Sequence, residues 1–141
     1  MSPDPVRRPT PCVGVVCLRD DEVLLIRRGK APRLGQWSIP GGRMEFGETL
    51  HAAALRELKE ETGVDAEILG LIDVIDSLEP AADWHGVLVD YAARWTSGEP
   101  VAGDDAMEAC FIPMAQALTR VDWSETRRMI ELAATRFGTG L

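Results

Sequence analysis

The 141-residue chain predicts an α/β domain, an α/β/α sandwich with a central mixed sheet. Three observations carry that expectation. Short runs of aliphatic and β-branched residues recur along the whole length. Two or three helical patterns interrupt them, and strands and helices are interleaved and not segregated. The length suits one domain with one sizeable core.

The first eleven residues, rich in proline and charge and without an apolar signal core, read as a loose arm, with a single domain over 12–138. "CVGVVCLRDDEVLLIRR" is two β-rich runs around the turn-like Arg19-Asp20-Asp21, a hairpin. "GKAPRLGQ" reads as loop, and "WSIPGG" as one short strand that proline and glycine bring to an end. Thr49 is the expected N-cap of a helix over 50–62, with Leu50, Ala54 and Leu58 at i, i+4 and i+8 and Gly63 as a left-handed cap. "VDAEILGLIDVID" and "HGVLVDYAARW" read as long strands joined by the loop "SLEPAADW". "SGEPVAGDDAM" is an acidic loop before a strand "EACFI" that ends at Pro113. "WSETRRMIELAATRF" closes the chain as an amphipathic helix.

Composition narrows the function. A net charge of −8 argues against a general nucleic-acid-binding surface. No apolar run approaches the roughly 20 residues that span a bilayer. Three cysteines without a CxxC pair fit reduced, buried thiols in a cytoplasmic protein. In "RRGKAPR", residues 27–33, four of seven side chains are basic: either a solvated loop or a cradle for an anionic substrate such as a phosphate chain.

The helix over 50–62 carries an electrostatic conflict. Glu57, Glu60 and Glu61 crowd its C-terminal turn, where each carboxylate opposes the helix dipole by about 0.3–1 kcal/mol. At ~100° per residue, Glu61 falls in line with Leu50 and Ala54, Glu57 beside them, and Glu60 on the flank of Ala53. A merely solvated helix places its carboxylates opposite the apolar stripe. Partly buried carboxylates this close call for a cation. Arg56 reaches Glu60 at i,i+4, and otherwise the group holds no lysine or arginine. A divalent ion with oxygen ligands resolves the conflict, and Mg²⁺ pairs naturally with substrate phosphates.

The segment Gly42–x5–Glu48–x7–Arg56–Glu57–Leu58–x–Glu60–Glu61–x–Gly63–Val64 resembles the Nudix box without a departure, nine fixed positions over 23 residues. The lead-in "RRGKAPRLGQWSIPGGRMEFGE" and the order of strands and helices over roughly 12–138 resemble the Nudix hydrolases as well. The resemblance implies a Nudix-type sandwich that hydrolyses a nucleoside diphosphate linked to another group, with Mg²⁺ as cofactor and Mn²⁺ as a substitute. It implies that Glu57, Glu60 and Glu61 bind the metal, and that the Gly41 carbonyl completes the coordination. Glu48 stands near the metal and Arg56 orients a metal-binding carboxylate. The base varies in this family, so either a box glutamate (Glu60 or Glu61) or the loop acid Asp105 takes the proton. Asp104 is one residue out of that register, and Glu108 belongs to the strand start.

Arg27, Arg28 and Arg33 are the candidates for phosphate or ribose contact, although strand alternation forbids Arg27 and Arg28 from facing the site together. Trp84, in the expected loop, is read either as a platform for the base or as structural. Trp37 and Trp95 are read as core, and His51 and His85 as non-catalytic. The pattern around "GKAPRLGQWSIPGG" and "SGEPVAGDDAMEA" looks most like the ADP-ribose pyrophosphatase subgroup. A nucleotide-pool-cleansing enzyme acting on nucleoside triphosphates shares the box, and a nucleotide-sensing Nudix module that binds without cleaving is the rival of another class. Many relatives form homodimers, so the resemblance extends to a homodimer. The expected partner is a small nucleotide-diphosphate substrate.

Overall fold

The computed structural model describes residues 7–138. Among these residues, seven strands form one sheet between three helices. In chain order they are β1 (Thr10–Arg19), β2 (Glu22–Arg28), β3 (Trp37–Ser38), β4 (Gly41–Arg43), α1 (Leu50–Thr62), β5 (Asp65–Glu79), β6 (Trp84–Ser97), β7 (Ala106–Pro113), α2 (Met114–Arg120) and α3 (Ser124–Phe137). The sheet runs β3-β2-β1-β6-β5, with β4 on β1 and β7 on β2. β1 and β6 are parallel and the other pairs antiparallel, so the sheet is mixed as the sequence predicts.

β1 is buried on both faces from Cys12 to Leu18 because helices cover both sides of the sheet. Val16, Ile72, Ala92, Met129 and Ile130 pack on the α2/α3 side, and Val15, Ala54, Leu58, Val64 and Tyr91 on the α1 side. Each fully buried aliphatic side chain contributes about 1.5–3 kcal/mol.

The hairpin turns sharply at Asp20, whose φ is 54°. Its arms share only the pairs Leu18↔Val23 and Arg19↔Glu22 before they part. Beyond that point β1 takes β4 as neighbour (Gly14↔Gly41), whereas β2 takes β3 (Ile26↔Ser38). The sheet is therefore split, and residues from both sides of the split line a cleft of about 700 Å³.

α1 starts and stops where local chemistry dictates. The Ala52 N–H donates to the Thr49 hydroxyl at 3.1 Å, a cap worth about 1 kcal/mol. Gly63 adopts φ 73° and donates its N–H to the Lys59 carbonyl. The remaining end carbonyls are covered by the loop between β6 and β7. The amides of Val101, Gly103 and Asp104 donate to the carbonyls of Thr62, Glu61 and Glu60 at 2.9, 2.7 and 3.3 Å. A Cβ at Gly103 would overlap the Glu60 carbonyl, so that strap needs glycine. These donors offset the negative end of the helix that makes three glutamates there look unfavourable.

Several expectations are corrected. "WSIPGG" forms two strands, because Gly41 and Gly42 pair with Gly14 and Val13 across β1. The expected loop "SLEPAADW" shrinks to a 3₁₀ turn at Pro80–Ala82, since β5 extends to Glu79 and pairs it with Trp84. Trp37 and Trp95 are half-buried, not core. Of the expected arm, residues 1–6 lie outside the described residues, and Thr10 and Pro11 belong to β1. Among the described residues no helix is long and apolar enough to cross a membrane.

Candidate active site

The box residues converge at the end of α1 beside β4. Glu61 is 5% exposed on the face of α1 that meets the sheet, as the wheel places it. The Gly41 N–H donates to its Oε1 at 3.0 Å. Burial pushes the Glu61 carboxyl up to about 8 against the pull of that N–H, and the neighbouring Glu57 adds to the rise. Glu57 packs against the Gly42 backbone, where a Cβ would overlap its carboxylate. Glu60, on the flank, is about half exposed.

Arg56 reaches more of this group than its i,i+4 spacing to Glu60 alone implies. Its guanidinium grips Glu48 in bidentate fashion, Nε to Oε2 at 2.6 Å and Nη2 to Oε1 at 2.8 Å. Nη1 donates to Glu57 Oε1 at 2.8 Å and to Glu60 Oε2 at 3.1 Å, and Nη2 to the Arg43 carbonyl at 3.0 Å. The Arg56 guanidinium, helped by the Glu45 N–H, holds Glu48 down to about 2. One arginine thus ties three carboxylates to β4 and leaves Glu61 outside the arrangement.

Arg28, Arg33, Trp84, Asp104 and Asp105 line the same cleft as Glu57, Glu60 and Glu61. Arg28 Nε donates to the Pro32 carbonyl at 2.6 Å, and burial lowers its guanidinium's affinity for a proton while Glu61 and Asp105 raise it. Arg33 lies 3.8 Å over the Trp123 ring and is bonded to Glu79. Asp105, at φ 62°, accepts from Lys30 Nζ at 2.9 Å. Both aspartates of the loop reach the cleft, so the register that favours Asp105 over Asp104 does not separate them. Trp84 is the first residue of β6, not a loop residue, and its Nε1 donates to the Ser77 hydroxyl at 3.0 Å.

Arg27 is not in the cleft. It donates from Nε to the Gly35 carbonyl at 3.0 Å and pairs with Glu108 at 3.5 Å, as the alternation rule demands once Arg28 faces inward. His51 is exposed and meets Tyr91 edge-on at 4.9 Å. Cys12 and Cys17 are buried, and burial raises their thiols to about 11 and about 12.

The sequence reading missed Asp90, Trp123 and Thr126, which line the α3 side of the cleft. A lone aspartate amid the apolar run "GVLVDYAA" was the available signal for the first. Nothing local marked the other two.

The oxygen-only donor set fits a hard divalent ion. Among the described residues no three carboxyl groups converge on one point, since Glu57 and Glu60 turn to Arg56 and Glu61 to Gly41. The close approach of Glu57 to glycine backbone, and a buried Glu61 with no cation bonded to it, nevertheless make this an acidic group that a cation would relieve.

The described residues thus form an α/β/α sandwich with a split mixed sheet and an acidic helix end opening onto the split. The chain belongs to the Nudix family: the family model for the NUDIX domain matches residues 8–133. It is 36% identical over 106 residues to an ADP-ribose pyrophosphatase of Methanocaldococcus jannaschii, covering 75% of this chain and 63% of that protein. It is 35% identical over 140 residues to the 8-oxo-dGDP phosphatase NUDT18 of Homo sapiens, covering 94% of this chain and 42% of that one. The chain thus spans 63% and 42% of these two relatives' lengths. The crystal structure of a MutT NUDIX hydrolase from Burkholderia pseudomallei superposes with a TM-score of 0.77 at 31% identity, covering 89% of this chain and 98% of that one.

Proposed function

We propose that the chain is a divalent-metal-dependent pyrophosphohydrolase that cleaves the diphosphate of a nucleoside diphosphate derivative, with an ADP-ribose-like substrate favoured. The observation that carries this reading is the cleft itself, whose lining combines the Glu57–Glu60–Glu61 group and Arg28 with the rings of Trp37, Trp84 and Trp123. An elongated ligand with a charged middle and a flat aromatic end suits that lining. The named activity of the archaeal relative supports the ADP-linked substrate.

Glu57, Glu60 and Glu61, with the Gly41 carbonyl, would hold Mg²⁺, or Mn²⁺ in its place. Such an ion supplies Lewis acidity that neutralises the diphosphate oxygens. Arg28 faces the cleft with a free guanidinium end and binds phosphate oxygens there. Arg56 fixes the orientation of Glu57 and Glu60 through Nη1. A water oxygen bonds to one phosphorus, the bridging P–O bond breaks, and the second phosphate departs with the electron pair. The proton of that water passes to a carboxylate. Asp105 is bonded to Lys30 in its loop, whereas the box glutamates stand where the metal would be held, so a box glutamate, Glu60 or Glu61, is the favoured acceptor. Arg33, seated on Trp123 and bonded to Glu79, stiffens the far wall.

A second reading, hydrolysis of oxidised or ordinary nucleoside triphosphates, draws on the human relative's named activity toward an 8-oxo-guanine nucleotide. Steady-state kinetics on a panel of ADP-ribose, dGTP, 8-oxo-dGTP and 8-oxo-dGDP tests both. Highest kcat/KM on ADP-ribose with release of AMP supports the first reading, and preference for a triphosphate with release of pyrophosphate supports the second. Binding without turnover of any member would make the chain a sensor module.

A further inference from the structure

Asp90 lies in the middle of β6 on the face that meets α3, between Leu88 and Ala92, and is 3% exposed. None of the side-chain hydrogen bonds or ion pairs among the described residues engages its carboxyl, and the residue lines the cleft. A charge buried without a partner is strongly disfavoured, so such a group is either neutral or awaits a ligand.

Its surroundings point the same way. Asp73 stands directly across on β5, and α3 brings Arg128 and Glu125. Arg128 is already shared, donating to Asp73 at 3.0 Å and to Glu125 at 2.9 Å, and acts on Asp90 only through its charge. Burial first, and the Asp73 charge second, push the Asp90 carboxyl up to about 7. β1 contributes no side chain at this level. Gly14 is paired with Asp90 across the parallel ladder, and a Cβ there would overlap the carboxyl. A glycine inside a central strand weakens it, so its presence opposite Asp90 marks space kept for that group. Trp123 and Thr126 line the cleft on the α3 side.

We propose that Asp90 selects the base bound in the cleft: its carboxyl accepts a hydrogen bond from the exocyclic amine of an adenine-type base and, when it carries its proton, donates a hydrogen bond to the adjacent ring nitrogen. A protonated carboxyl offers one donor beside one acceptor, and adenine presents an amine next to a ring-nitrogen acceptor. A buried polar group left unmatched rejects an analogue that lacks the partner atom, so the selection is made by this one contact. The inference rests on the reading that the diphosphate lies at the glutamates, which puts the base on the Asp90 side.

Adenosine is the probe, since it needs no metal and carries no phosphate to titrate. Calorimetric titrations from about pH 6 to about pH 8.5 compare wild type with Asp90→Asn and Asp90→Leu, with purine riboside, which lacks the amine, as the control. Wild type should bind adenosine most tightly at the acid end and lose up to tenfold per pH unit above the Asp90 midpoint, because only the neutral acid makes both hydrogen bonds. Asp90→Asn keeps a donor beside an acceptor and should bind with no pH dependence. Asp90→Leu should bind adenosine and purine riboside equally weakly at every pH. A flat wild-type profile, an Asp90→Asn as weak as Asp90→Leu, or no adenosine binding at millimolar concentration would overturn the inference. Should Asp90→Leu fail to fold, the Asp90→Asn profile decides alone. ADP-ribose turnover separates the two claims. Turnover with a flat adenosine profile sinks only the role of Asp90, and an Asp90-dependent profile without turnover sinks only the hydrolase reading.

Discussion

The backbone N–H of Gly41 donates to Oε1 of Glu61 at 3.0 Å, tying β4 to the last turn of α1 and fixing the one box glutamate that Arg56 does not hold. A cation added beside this buried carboxyl binds only the folded chain and stabilises it by mass action, about 2.7 kcal/mol at a hundredfold excess over Kd. Millimolar Mg²⁺ or Mn²⁺ should therefore raise Tm by several degrees in a thermal melt. Glu57→Gln combined with Glu61→Gln should abolish the shift. An undiminished shift in that double variant contradicts the assignment of the site.

Arg28 and Arg27 should behave differently despite being neighbours. Arg28 lines the cleft, and Arg27 is spent on Gly35 and Glu108. Arg28→Ala should raise KM about tenfold or more with kcat nearly intact, the signature of lost uniform binding. Arg27→Ala should leave both constants within about twofold. Equal effects from the two substitutions would show that the alternation of β2 does not decide substrate contact.

Arg56 joins Glu48, Glu57 and Glu60 to the Arg43 carbonyl. Removing it leaves close carboxylates without their cation, and Arg56→Ala should cost on the order of 1–3 kcal/mol in urea unfolding. Arg56→Lys should recover little, because a lysine cannot make the bidentate grip on Glu48.

Asp90 gives the stability a pH dependence with a defined sign. Its folded-state carboxyl sits at about 7, above the ordinary aspartate value of 3.8. Between those values the folded chain binds more protons than the unfolded one, so this group's contribution is fully present below about pH 3.8 and is lost as pH rises toward 7. Asp90→Asn should raise Tm more at pH 8 than at pH 5. A larger gain at pH 5 reverses the sign and refutes the raised carboxyl.

The base can be located by comparing two substitutions. Asp105→Asn should lower kcat only a few fold, since Lys30 already engages that carboxylate. Glu60→Gln or Glu61→Gln should lower it about 10²–10⁴-fold if the base is a box glutamate. Metal affinity is measured alongside, because a lost ligand imitates a lost base. A thousandfold fall for Asp105→Asn with metal and substrate binding intact would move the base to the loop.

The parts of this molecule legible in the sequence are those set by local chemistry. Thr49 and Gly63 bound α1 because a hydroxyl cap and a left-handed glycine act within four residues of where they stand. Helical periodicity placed Glu61 on the buried face, and strand alternation separated Arg27 from Arg28. The features set by long-range pairing were illegible. β4 exists because Gly41 and Gly42 meet β1 about thirty residues back in the chain, which overrides the turn signal of Pro40-Gly41-Gly42. Ser77 to Glu79 and Trp84 become strand because β5 and β6 pair to their ends. Asp90 gained its meaning only when β1 brought Gly14 beside it. The grip of Arg56 on Glu48 depends on the path of the loop before α1, which no periodicity encodes.

The central claim, metal-dependent cleavage of a diphosphate at the glutamates of α1, is tested most directly by AMP release from ADP-ribose. Wild type and the Glu57→Gln, Glu61→Gln double variant are compared in Mg²⁺ and in EDTA, with Tm recorded to confirm folding. The account predicts steady AMP release by wild type in Mg²⁺, none above background in EDTA, and a loss of at least about 10² in kcat for the folded double variant. Undiminished AMP release in EDTA, or from the folded double variant, would contradict it.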